Sequence, residues 1–209
     1  MKNPQIDAVI FDIGNVLLQW DAHAAYKPLG LSDEEIKAFF KQVGFFEWNL
    51  EQDRGRTFAD GIEELSSRFP DERHLIAHYD THWQLSILGP IQGTVDILTS
   101  LATQKVPLHA ITNFSAEKFP LERARFDFFG HFGEIVVSGE EKLIKPDPEI
   151  YELLLSRTGL KAERTFFIDD SMPNVKGAMA VGMHAHHFTA PSDLREALRG
   201  FELPGGANV

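Results

Sequence analysis

The stretch Ala8-Val9-Ile10-Phe11-Asp12-Ile13-Gly14-Asn15 decides how this chain is organised. Its four consecutive apolar residues, bounded by Asp7 and Asp12, suit a strand buried on both faces of a parallel sheet better than the alternation of a half-exposed strand. Similar runs recur at Val106-Pro107-Leu108-His109-Ala110-Ile111, at Ile135-Val136-Val137, at Thr165-Phe166-Phe167-Ile168 and around His184 to Phe188. Between them lie helical patterns. Asp147-Pro148-Glu149 sets an acidic N-cap before a proline at the first helical position, and Tyr151, Leu154 and Leu155 follow at helix spacing. Ser192 to Gly200 repeats the pattern, and Ile91 to Thr103 and Ser115 to Phe128 also read as helices. Strands alternating with helices predict an α/β fold, a doubly wound parallel sheet of Rossmann-like type.

One spacing departs from that alternation. From Phe11 to Val106 is 95 positions, whereas a strand-helix-strand unit needs about 30, so about 60 to 70 residues are inserted. The segment contains helical stretches at Asp33 to Val43, Phe58 to Phe69 and Asp71 to Ser86, and no strand is expected within it. Thr57-Phe58-Ala59-Asp60 resembles a capping box with Asp in the usual Glu position. The division expected is a core of residues 1–16 and 89–209 interrupted by a helical bundle at 17–88. Pro204-Gly205-Gly206 reads as a frayed tail.

Composition narrows the function classes. The chain has 209 residues, long enough for a real core, and its 43% hydrophobic content excludes a disordered one. With 31 acidic against 20 basic residues the formal charge is −11, and no Lys/Arg run occurs. That leaves no electrostatic footprint for a nucleic acid or an anionic membrane. There is no cysteine, which removes disulfides, thiolate zinc sites and cysteine nucleophiles together. No apolar run approaches the roughly 18 residues of a spanning helix and no apolar signal region is seen, so a cytoplasmic protein is expected.

Ligands in an open parallel sheet bind beyond the carboxyl ends of the strands. The residues directly after the apolar runs are Asp12, Thr112-Asn113 and Asp169-Asp170, and Lys145 lies in the loop before the Asp147-capped helix. Singly, each has a plain structural reading as turn former, helix entry, cap or solvated charge. In this order, two acidic groups, a hydroxyl-amide pair and a lysine converge on one crevice.

These residues resemble the motifs of the haloacid dehalogenase-like hydrolases. Phe11-Asp12-Ile13-Gly14-Asn15-Val16-Leu17 is similar to the family's first motif, Ile111-Thr112-Asn113 to its second, Lys145-Pro146 to its third, and Phe167-Ile168-Asp169-Asp170 with Asn174 to its fourth. The likeness runs from about residue 7 to 189, and the inserted bundle matches the family's cap. The Asp-x-Gly-Asn-Val form of the first motif resembles a subgroup that includes sugar-phosphate phosphatases.

The implied chemistry is hydrolysis of a small phosphate monoester. A carboxylate, Asp12, attacks phosphorus to give an aspartyl-phosphate and so splits the reaction in two. A phosphate dianion is repelled by ionised Asp12, which calls for a hard divalent cation, magnesium, held by oxygen ligands. Asp12 and Asp170 supply carboxylates, Asp169 binds directly or through water, and the resemblance adds the backbone carbonyl of Gly14. Lys145 offsets charge on nucleophile and phosphoryl group, while Thr112 Oγ and nearby N–H groups donate hydrogen bonds. Asn113 and, from the cap, Trp48 and Arg54 are candidate substrate contacts, in a cluster with Glu47, Asn49 and Arg56 near Gly55.

Gly14 departs from the family pattern. Family phosphatases usually carry there a second aspartate that protonates the leaving group and activates water, help typically worth a factor of about 10² to 10⁴. Asp21, nine positions after Asp12, is a candidate substitute, with a structural role at the entry to the cap as the alternative. A 2-haloacid dehalogenase, which displaces halide from carbon with the same aspartate and needs neither metal nor acid, is the rival reading. The retained pair Asp169-Asp170 counts against it. A third reading is a fold that binds phosphate or a partner without turnover. His74, His78 and His82 recur at helix spacing, and His184 and His186 share a strand face. A solvated or partly buried role is expected of both sets, ahead of metal binding. Neither a P-loop nor a dinucleotide glycine fingerprint occurs.

Overall fold

The apolar run near the N-terminus forms strand β1 (Ala8–Phe11), after which the chain leaves the sheet through β2 (Leu18–Trp20). Four helices follow, α1 (Asp33–Val43), α2 (Phe45–Asp53), α3 (Phe58–Arg68) and α4 (Arg73–His82), and β3 (Ile87–Pro90) brings the chain back. The remainder alternates: α5 (Gln92–Thr103), β4 (Leu108–Thr112), α6 (Phe119–Arg125), β5 (Glu134–Val137), α7 (Ser138–Glu141), α8 (Pro148–Thr158), β6 (Thr165–Asp169), α9 (Met172–Ala180), β7 (His184–His187) and α10 (Pro191–Arg199). This computed structural model describes residues 4–201 and 203, so the glycine-rich tail at Pro204-Gly205-Gly206 lies outside the described residues.

Five strands form one parallel sheet in the order β5-β4-β1-β6-β7. Val9 of β1 pairs with Leu108 on one side and Phe166 on the other, which places β1 at the centre. Alternation along β1 explains its continuous apolar run. Val9 and Phe11 pack with Ile97 and Leu101 of α5 and Leu194 and Leu198 of α10 on one face. Ile10 packs with Ile150, Tyr151 and Leu154 of α8 and Ala178 of α9 on the other. Both faces are therefore covered by helices, as the burial of a parallel sheet requires. The chain builds outward from β1 to β5, then returns to lay β6 on the opposite side of β1. That reversal opens a crevice at the carboxyl ends of β1 and β6.

The two ends of the insert pair with each other. Leu18 pairs with Pro90 and Gln19 with Gly89 in an antiparallel ribbon, a pair of strands too short to leave a period-two signal in the sequence. Above it α1 begins at a capping box between Ser32 and Glu35 and ends at Gly44 in the left-handed region, φ 67°. Thr57 caps α3 by accepting from Asp60 N at 3.1 Å. Helix α2, which is not among the helices expected in the insert, starts directly at Gly44 and buries Phe45, Trp48 and Gln52. Elsewhere, the helix expected over Ser115 to Phe128 is confined to Phe119–Arg125, with Pro120 in its first turn and a 3₁₀ turn after it. Asp147 precedes α8 but makes no side-chain cap bond.

Aromatic side chains hold the insert together. Phe45 stacks on Phe40 with ring centroids 4.0 Å apart and meets Tyr79 edge-on at 4.8 Å. Tyr26, Trp48 and Phe58 complete the cluster. Trp48 donates its ring N–H to Gly61 O at 2.8 Å, and a Cβ at Gly61 would come within 2.6 Å of Gln52 Oε1, so only glycine fits where α3 crosses α2. Phe45→Ala is expected to lower the unfolding free energy by about 3 to 5 kcal/mol, measured by urea denaturation, because the rigid rings around it cannot close the cavity.

Candidate active site

The last residue of β6 and the first residue after β1 meet across a lysine. Asp12 follows β1 and is 6% exposed; Asp169 ends β6 and is 0% exposed. Lys145 Nζ lies 2.9 Å from Asp12 Oδ1 and 2.7 Å from Asp169 Oδ2, and donates a third bond to Ile111 O at 3.0 Å. All three ammonium protons are thus used, which is what a fully buried lysine requires. Burial alone would lower the Lys145 ammonium, but Asp12 and Asp169 together hold it above its ordinary value.

The carboxylates are arranged unequally. Asp12 Oδ1 also accepts from Ile13 N at 2.6 Å. Asp169 accepts from Ser171 N at 2.8 Å and from Asn174 Nδ2 at 3.1 Å to each oxygen, so it is fixed on both sides. Burial pushes the Asp12 carboxyl up to about 8; Lys145 opposes the rise, and Asp169 and Asp170 add to it. Asp170 is raised by burial and by Asp169, with Lys145 and a hydrogen bond from Asn15 acting the other way. Oxygens of Asp12, Asp169 and Asp170 lie within 4.8 Å of one another, the one group of three or more potential ligands found among the described residues.

Thr112 and Asn113 follow from the end of β4. Thr112 Oγ1 is buried without a protein partner, so it has a proton to give to a ligand. The Asn113 side chain donates to Lys145 O at 3.0 Å and accepts from Lys145 N at 2.9 Å, clamping the backbone that carries the lysine. Asn113 also lines a cavity of about 170 Å³ that holds Asp12, Gly14, Asn15 and Asp170 at one end. Leu18, Trp20, Phe58 and Trp83 give this cavity an apolar wall, and Asn49 and Asp53 of α2 give it a polar one.

The chain from residue 6 to 182 matches the model of the haloacid dehalogenase-like hydrolases. A sesquiterpene phosphatase of Aspergillus oryzae is 30% identical over 191 residues, aligning 87% of this chain with 89% of that protein. The chain belongs to this hydrolase family. It is also 26% identical to a phosphorylated carbohydrates phosphatase of Thermotoga maritima, over 85% of this chain and 82% of the other. Among solved structures, a HAD family enzyme of Bacteroides thetaiotaomicron superposes with a TM-score of 0.75 at 23% identity, covering 93% of this chain and 99% of that one. That enzyme has been solved with magnesium and inorganic phosphate.

Not every expected site residue of this hydrolase reaches the cavity. Trp48 is 5% exposed inside the aromatic cluster of the cap, where its ring is committed to Gly61 and Phe45. Arg54 is not among the residues lining the cavity and lies 3.5 Å from Glu51 and 3.7 Å from Asp147. Arg56 braces Gln52, Trp48 and Glu64. Asp21 is absent from the lining as well: its side chain caps the 3₁₀ turn Ala22–Ala25, accepting from His23 N at 2.9 Å. The polar cap residues that line the cavity are Asn49 and Asp53, one helical turn apart on α2. Their i,i+4 spacing was readable once that segment is known to be helical. Of the histidines, His78 Nε2 bonds Ala25 O at 2.9 Å and stacks on His82, His186 lies 3.5 Å from Asp193, and His187 Nε2 bonds Asp170 O at 2.9 Å.

Lys145→Met would leave Asp12 and Asp169 buried without a counter-charge. A loss of about 3 to 5 kcal/mol of unfolding free energy is expected, measured by urea denaturation in a metal-free buffer; an unchanged midpoint would contradict the role given to the ammonium.

Proposed function

We propose that this hydrolase is a magnesium-dependent phosphatase of small phosphate monoesters, a sugar phosphate or a related metabolite, working through a phosphorylated Asp12. The observation that carries the reading is Asp170 beside Asp12 and Asp169. These are hard oxygen donors of the kind magnesium takes, and one lysine among three carboxylates leaves the cluster short of positive charge. Asp12 and Asp170, with the Gly14 carbonyl and with Asp169 directly or through water, would hold the ion. Bound magnesium supplies the charge that lets a phosphate dianion approach an ionised carboxylate. The relatives with phosphatase names support the same class of reaction.

The chain's own groups divide the remaining work. Lys145 and Ile13 N both engage Asp12 Oδ1, which keeps the carboxylate in place and leaves Oδ2 to attack phosphorus. Asp169, fixed by Ser171 and Asn174, keeps the ammonium between the two aspartates, and Asn113 fixes the lysine's backbone. Thr112 Oγ donates to a phosphoryl oxygen, as its free buried hydroxyl allows. The alcohol portion lies against Leu18, Trp20, Phe58 and Trp83, with Asn49 for a polar group. We take residues 17–88 as the cap that supplies this wall.

Gly14 is the feature that favours the dehalogenase alternative, since displacement of halide needs no proton donor. That reaction also has no cation to hold, which leaves Asp170 without a purpose. A panel of phosphate esters assayed with and without magnesium, beside 2-chloropropionate, separates the two: phosphate release that needs magnesium is expected. Halide release without metal and no phosphate from any ester would overturn the reading, and no turnover of either kind would point to a binding protein. Asp12→Asn should cut phosphate release by at least about 10⁴-fold in a protein that stays folded. Magnesium should raise the melting temperature of the wild type, because it binds only the folded chain, and Asp170→Ala should lose most of that rise.

A further inference from the structure

Gly14 leaves the reaction without a donor for the departing oxygen, and the cavity contains one carboxyl that no step above uses. Asp53 is the last residue of α2 and lines the same cavity as Asp12, Gly14 and Asp170. The core holds its backbone there: Ser138 Oγ, just after β5, donates to Asp53 O at 2.6 Å, and Ser115, in the loop after β4, lines the same cavity. Asn49 Nδ2 stands 3.5 Å from Asp53 Oδ2 on the same helix face. In the same cavity, a Cβ built on Gly14 meets nothing within 4 Å, so the space there is open.

We propose, resting on the phosphatase reading, that Asp53 is the acid-base residue of this enzyme, supplied by the cap in place of the side chain missing at Gly14. In the first step Asp12 Oδ2 bonds to phosphorus, the bond from phosphorus to the ester oxygen breaks, and the Asp53 proton passes to that oxygen to release the alcohol. In the second, the Asp53 carboxylate takes a proton from water as the water oxygen bonds to phosphorus. The Asp12–phosphorus bond then breaks, inorganic phosphate leaves, and both side chains return to their starting state.

The electrostatics suit both steps. Burial pushes the Asp53 carboxyl up to about 7, with the Ser115 N–H and the Lys145 ammonium acting against the rise. An acid that loses its proton near the working pH is the effective kind. The other charged or titratable groups around α2 leave this unchanged. Tyr79 of α4 is a phenol that burial keeps neutral, and Glu117 is taken up by Phe58 N at 2.9 Å. Lys142 lies beside Gly55, and Arg54 is turned to Glu51 and Asp147. Helix α1 packs on α2 through Phe40 and its apolar neighbours.

The test compares p-nitrophenyl phosphate, whose leaving group departs without a proton, with the fastest alkyl phosphate of the panel. In Asp53→Asn, kcat/KM for the alkyl ester should fall by about 10² to 10⁴-fold and for the aryl ester by less than about tenfold. The donor is the protonated form, the majority below about pH 7, so in saturating magnesium, which would keep Asp12 ionised, wild-type kcat/KM for the alkyl ester should fall as pH rises above about 7. That limb should vanish in Asp53→Asn and persist in Asp53→Glu, which retains an acid. Adding Gly14→Asp to Asp53→Asn should recover alkyl hydrolysis by about tenfold or more. Equal losses on both esters, as a mere cap-to-core latch would give, overturn the inference, as does an unchanged pH profile. A wild type that hydrolyses no ester removes the phosphatase reading and this one with it. An active wild type matched by Asp53→Asn removes this one alone.

Discussion

Lys145 between Asp12 and Asp169 is the contact on which the other parts of the site depend. Three separate loops of the sheet, after β1, before α8 and at the end of β6, are brought to within one ammonium group of each other. A buried ionic cluster of this kind is seldom a net source of stability compared with apolar side chains of the same volume. Its presence therefore speaks for chemistry. It also sets a charge deficit: two carboxylates share one positive charge, and Asp170 adds a third carboxylate nearby. A centre with that imbalance accepts a cation and, through it, an anionic substrate.

The cap contributes a different kind of group. Its interior is an aromatic cluster around Phe45 and Tyr79, which runs on into the apolar core beneath the sheet through Trp83 and Phe114. The flank of α2 beside that cluster carries Asn49 and Asp53 to the cavity, while Phe58 and Trp83 present apolar surface. Asp12, Lys145 and Asp169 thus belong to the sheet and its loops, whereas most of the other residues lining the cavity come from the insert and from the ribbon at its base.

Much of this was legible in the sequence because it is local. Val9, Ile10 and Phe11 are apolar in a row since their strand is buried on both faces, and a polar residue follows each strand where the sheet ends. Asp12, Thr112 and Asp169 were found by that rule alone. The helix at Phe45–Asp53 was not, because its buried stripe contains Gln52, a polar residue satisfied internally by Trp48 O, and its start at Gly44 carries no capping side chain. Missing that helix hid the shared face of Asn49 and Asp53 and left Trp48 and Arg54 as candidate substrate contacts near a glycine turn. Asp53 shares a cavity with Asp12 only through the folding of the cap over the sheet, a relation that no spacing along the chain encodes.

The ribbon formed by Leu18–Trp20 and Ile87–Pro90 has a consequence for how such a chain can change. Paired strands lie about 5 Å apart, so the insert begins and ends at nearly one point in space. The entropy of closing a loop between two fixed points grows only with the logarithm of its length, so a longer or shorter bundle alters the stability of the sheet by a few tenths of a kcal/mol to about 1 kcal/mol. Helices can be added, lost or replaced above the ribbon while the strands beneath keep their register. The insert is in this sense a replaceable part, carried on one two-stranded ribbon by a core whose carboxylates and lysine have no such latitude.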